Sequence, residues 1–109
     1  MPTVYKVLGQ SNPAATTLTT LYTTPAATST IISTLTAANL SASAITIRIA
    51  IRPLGAAISN AHYLVFDASL GPNTTQTMTL GLTLAATDVV SVYASTNQAS
   101  FHAYGSEMS

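Results

Sequence analysis

The chain has 109 residues, enough for one domain (1–109), with 6% charged residues, net charge zero and no cysteine. Only Lys6, Arg48 and Arg52 are cationic, which excludes a surface that neutralises nucleic-acid phosphates or an anionic membrane; the absent thiols exclude a disulfide framework or thiolate metal site. A charge this close to zero also removes long-range repulsion between copies, so association is expected.

No basic region leads from Met1-Pro2-Thr3 into an apolar run, so no secretory signal is expected and synthesis is assigned to the cell interior. Polar residues and prolines interrupt the uncharged stretch between Lys6 and Arg48 too often for a membrane-spanning helix. The first segment, TVYKVLGQ, reads as a strand, rich in β-branched and aromatic residues. PAATTLTTLYTT (13–24) is then echoed by PAATSTIISTLT (25–36). Two copies are too few for a solenoid, so each is a turn plus a strand marked by Pro13 or Pro25, joined as a hairpin or an edge-strand crossover.

AITIRIAIRP is the clearest segment: period two puts Ile45, Ile47, Ile49 and Ile51 on one face and Arg48 and Arg52 on the other, and Pro53 ends the strand. HYLVFDASL reads as the next strand. QTMTLGLTL follows as a half-buried one, with Met78, Leu80, Leu82 and Leu84 inward. In TDVVSVYASTNQASFHAYGSE, Val90 and Val92 face one way and Val89, Ser91 and Tyr93 the other. Ser95-Thr96-Asn97 supplies a turn with Asn97 as the left-handed candidate, and Phe101 and Ala103 return inward, which predicts a C-terminal hairpin. The fold class is all-β: an antiparallel β-sandwich, jelly-roll-like or a small barrel, of about eight short strands. The predicted core is Ile45, Ile47, Ile49, Ile51, Met78, Leu80, Leu82, Leu84, Val90, Val92 and Phe101.

Chemistry is sparse. There is no G-x-S-x-G elbow for a nucleophile, and Asp67, Asp88 and Glu107 are the only carboxylates for a glycosidase pair, so no catalytic residue is assigned. His62 and Asp67, five apart on one expected strand, point to opposite faces. A metal would need His62, His102 and a carboxylate brought together from separate strands, and no metal or cofactor is assigned. His102 is instead a candidate for the axis of a trimer. Asn39-Leu40-Ser41 and Asn73-Thr74-Thr75 match a glycosylation pattern but lack a secretory context. The T-x-T runs lack the long regular repeat that an ice-binding array needs. Arg48 and Arg52 are read two ways, as partners of Asp67 or Asp88 on a neighbouring strand, or as interface anchors.

Three stretches, MPTVYKVLGQSNPAATTLTTLYTTPAATSTIISTLTAAN, ITIRIAIRPLGAAISNAHYLVFD and LTLAATDVVSVYASTNQASFHAYGSE, resemble small β-sandwich virion proteins of tailed bacteriophages, cyanophages in particular. The resemblance lies in the VLGQ start, the Pro-Ala-Ala-Thr turn, the alternating Ile and Arg strand, the L-x-x-x-D-x-V-x-V-Y-A-S-T segment and the F-x-x-Y-G-S-E tail. It implies a non-enzymatic head decoration (cement) protein, localised to the virion and bound to the major capsid protein or other virion subunits, commonly as a trimer. The alternative it implies is a tail, neck or fibre module, with exposed aromatics such as Tyr22, Tyr63, Tyr93 or Tyr104 contacting a receptor. Neither reading calls for nucleic acid, a membrane or a cofactor, and the interface candidates are Arg48, Arg52, Tyr93, His102 and Tyr104.

Overall fold

A computed structural model describes residues 3–109. In chain order these form β1 (Thr3–Ser11), β2 (Thr19–Thr23), β3 (Ser29–Asn39), β4 (Ile45–Arg52), β5 (Tyr63–Leu70), β6 (Thr75–Met78), β7 (Leu82–Leu84), β8 (Val89–Ala94) and β9 (Ala99–Met108). Two single-turn 3-10 segments, Pro53–Gly55 and Asn60–His62, lie in the connection from β4 to β5. Sheet I has the order β1-β9-β3, with β6 and β7 side by side in sequence along the far edge of β3; sheet II has the order β2-β8-β4-β5.

The pairing is nested. β1 pairs with β9, β2 with β8, β3 with β6 and β7, and β4 with β5, all antiparallel. One long folded-over hairpin has this order, and rolling it so that successive pairs alternate between two sheets brings β9 against β3 and β8 against β4. With β6 and β7 counted as one interrupted strand, this is an eight-stranded jelly roll.

The connections follow from that rolling. The chain crosses from sheet I to sheet II after Pro13 and back after Pro25, so the echoed segments are crossovers between sheets. The turns are not superimposable: the left-handed residue is Thr16 (φ 54°) in the first and Ala27 (φ 55°) in the second, the fourth and third positions of the echo. β8 and β9 likewise lie in opposite sheets and do not form the expected hairpin. An arch between two facing sheets turns Val90, Val92, Phe101 and Ala103 to the same core that a hairpin would, so period two cannot separate the two arrangements. Asn97 keeps a negative φ. The arch is held from outside, by Asn12 Nδ2 donating to the carbonyls of Asn97 (2.9 Å) and Ala99 (2.6 Å) and by Leu40 N donating to Gln98 O (2.7 Å).

The segment expected as one strand over 76–84 is broken in two. Met78 pairs with Leu35 and Leu82 with Ile32, while between them Gly81 takes a left-handed conformation (φ 62°) that ends the ladder. Leu80 consequently leaves the predicted core and is 48% exposed. Ile45, Ile47, Ile49, Leu84, Val90, Val92 and Phe101 are buried as expected, with Ile51, Met78 and Leu82 packed at the rim. Ile32, Leu35, Ala37 and Ala103 complete the face contributed by sheet I. Gly105 is required where β9 meets the bulge in β3, since a Cβ there would lie 1.9 Å from Ile31 O.

Candidate interaction surfaces

The outer side of sheet II is built around a bulge. Along β5 the register runs Ile47 to Ala68 and then Ile49 to Val65, so Phe66 and Asp67 together oppose the single residue Arg48. Asp67 takes a left-handed conformation (φ 52°), which aspartate tolerates better than most residues. A regular strand would send Phe66 and Asp67 to opposite faces; the bulge aims both at Arg48. Arg48 Nε donates to Asp67 Oδ1 (2.6 Å) and Nη2 to Oδ2 (3.2 Å), and its Cζ lies 4.2 Å from the Phe66 ring centroid and 4.3 Å from that of Tyr93. The hydrogen bonds from Arg48 hold the Asp67 carboxyl below its usual range. The Tyr63 and Phe66 rings meet at 81° with centroids 4.9 Å apart, and with Asn60 they border an open depression of about 400 Å³.

Arg52, on the same face, does not pair with Asp88. Its Nε donates to Ala56 O (2.8 Å), Nη2 to Gly55 O (3.1 Å) and Nη1 to Ser91 Oγ (3.3 Å), which lays the connection from β4 to β5 over the sheet. Asp88 instead accepts from the backbone N–H groups of Leu54 (3.0 Å) and Ala85 (2.9 Å), tying that connection to the turn before β8. Beneath this cover Ala50 and Ser91, both on the outward side, are completely buried. His62 belongs to the same connection and accepts from Ser59 N at Nδ1 (3.2 Å).

His102 lies across the molecule, on the outer face of sheet I. It bridges Gln10 Nε2 (3.2 Å, at Nδ1) and Ser100 Oγ (3.1 Å, at Nε2), and its ring stacks at 25° on Tyr104 with centroids 6.2 Å apart. His62 and His102 are therefore separated by the whole sandwich. Among the described residues no group of three or more His, Asp or Glu side chains is placed to hold a metal ion.

Beyond Tyr104 the sheet I face turns apolar. Tyr5 and Ile31 flank Ser106 in one cross-strand row, Val7 faces Tyr104 in the next, and the short serine leaves a groove of about 430 Å³. Tyr5 is 83% exposed, and Val7, Ile31 and Tyr104 are exposed with it. Lys6, one residue along, points to the opposite side of β1, where its Nζ bonds Glu107 Oε1 (2.7 Å). Glu107 Oε2 accepts from the buried hydroxyl of Tyr22 (2.5 Å), which in turn accepts from Thr30 Oγ1 (2.8 Å). Lys6 and the Tyr22 hydroxyl hold the Glu107 carboxyl below its usual range.

The five residues singled out in the sequence thus divide between two opposite faces, Arg48, Arg52 and Tyr93 on sheet II, His102 and Tyr104 on sheet I. Tyr5, Phe66 and the Ser106 groove were not singled out. For Tyr5 a signal exists, because TVYKVL places apolar residues at both parities, which a strand with one solvated face does not need. For Phe66 there is none, since the bulge that re-aims it is not written in the alternation. Fold and surface together define a jelly-roll sandwich whose distinctive features are faces. Compared with family models, curated proteins and solved structures, the chain matches none.

Proposed function

We propose that this chain is a non-enzymatic virion structural protein, a decoration protein that binds the major capsid protein of an assembled head and stabilises the shell, made in the host cytoplasm and carried as a homo-oligomer, a trimer at a symmetry axis. The observation that carries the binding role is where the charges go. Lys6 pairs with Glu107 and Arg48 with Asp67, while Arg52 and Asp88 bond backbone groups of their own chain, so all six charged side chains are engaged internally. Apart from these paired groups the outward surface is hydroxyl and apolar, which buries area on another subunit with little desolvation cost from charges. The phage setting comes from the resemblance in sequence. A ligand that binds the expanded shell better than other states stabilises it by linkage alone, with no chemical step.

A second reading, a tail, neck or fibre module that contacts a host receptor, is favoured by the Tyr63, Phe66 and Asn60 depression, an aromatic corner open to solvent. Electron cryo-microscopy of the particle separates the two. Density for this chain repeated over the icosahedral shell is the expected result; a few copies confined to the tail would replace decoration with the second reading, and absence from the particle would end both.

A further inference from the structure

We infer that the outer face of sheet I is where a second copy of this chain docks, with Tyr5 of one copy seated in the groove over Ser106, between Tyr5, Ile31 and Tyr104, of the other. This deepens the homo-oligomer reading above by naming its contact.

The chain treats its two outer faces differently. On sheet II it folds its own connection over the strands, and the outward residues Ala50 and Ser91 lose all contact with water. On sheet I none of the described residues covers the corresponding position, and Tyr5, Val7, Ile31 and Tyr104 stay exposed side by side. A contiguous exposed apolar patch of this kind marks an interaction site.

The occupant follows from charge and shape. Lys6 borders the groove, but its ammonium is paired with Glu107 Oε1 (2.7 Å), so the groove carries no unpaired charge and two copies meet there without strong like-charge conflict. A charged partner would find only a cation already paired with Glu107, whereas the chain itself, with 6% charged residues, offers the matching chemistry. Shape is matched too, because a protruding aromatic side chain and a hole of about 430 Å³ occupy one face. The two larger extents of the molecule, 45 and 27 Å, give that face room for the roughly 800 Å² per partner of a standard interface. A twofold pair and a threefold ring can each bring Tyr5 of one copy to the groove of another, and the mass of the assembly gives the number.

Sedimentation of the purified full chain tests the contact, using Tyr5→Ser to remove the projection and Ser106→Leu to fill the groove. Wild type is expected as a multiple of 11.2 kDa. Each variant is expected to associate about 30-fold more weakly or worse, as for loss of an aromatic anchor, and still to melt cooperatively because both positions lie on the outer face. Wild-type protein that sediments as a monomer, or variants that assemble as wild type does, would overturn the contact. A monomer that still decorates heads would remove this contact and the trimer with it and leave the decoration role standing; an assembly held by this face but absent from particles would do the reverse.

Discussion

Tyr22 shows how one residue can escape a pattern. The receptor reading counts it among the exposed aromatics, yet it is 7% exposed, because a register shift between Thr20 and Tyr22 turns both Leu21 and Tyr22 toward the core. Its hydroxyl is then enclosed by Thr30 and Glu107 where β2, β3 and β9 meet. Burial first, and the neighbouring carboxylate second, push its ionisation from an ordinary value near 10 up to about 12. A proton held more tightly in the folded chain stabilises it fully below the unfolded value and is lost as pH rises through the folded one. Stability should therefore fall by roughly 2 to 3 kcal/mol between pH 10 and about 12. Urea unfolding across that window measures it, and Tyr22→Phe should remove this component of the loss; an equal loss in the variant would assign the effect to other groups.

Elements were legible where period two holds and illegible where a bulge breaks it. β4 alternates without interruption from Ile45 to Ile49, and its inner face is as the sequence predicts. β5 does not alternate in space, and the shifts opposite Arg48 gather Phe66 and Asp67 on one side where the sequence separates them. The connection from β4 to β5 is the other hidden element, since nothing in PLGAAISNAH announces that it covers a sheet. Arg52 fastens it, so the pairing with Asp88 first considered for that arginine gives way to a strut. Arg52→Ala should cost about 1 to 2 kcal/mol through loss of its hydrogen bonds to Ala56 O and Gly55 O. Hydrogen exchange should rise at residues 53–59 and at Ser91 while the two sheets stay protected. Arg48→Ala, whose guanidinium is bound by the exposed carboxylate of Asp67, should leave exchange in that connection unchanged; the same pattern from both variants would refute the strut.

At the scale of the whole molecule, the corrected core makes a paired prediction. Ile49 sits at the centre of sheet II between Val65 and Val92 with no exposure, so Ile49→Asp buries an unpaired carboxylate and should abolish cooperative folding. Leu80, assigned to the same core by its alternation, projects from the break between β6 and β7, so Leu80→Asp should melt as wild type does. Circular dichroism melts of the two variants check both, and a folded Ile49→Asp or an unfolded Leu80→Asp would move the core. Composition and alternation were enough to determine an all-β antiparallel fold, most of its strands and the inward face of β4, β8 and β9, because burial of one side of a strand imposes period two on the residues themselves. Sheet membership, the arch from β8 to β9, the convergence on Arg48 and the bare groove over Ser106 were decided only by the tertiary structure. They depend on which strands become neighbours after rolling and on bulges that shift register by a residue, and a local pattern is the same on either side of such a choice.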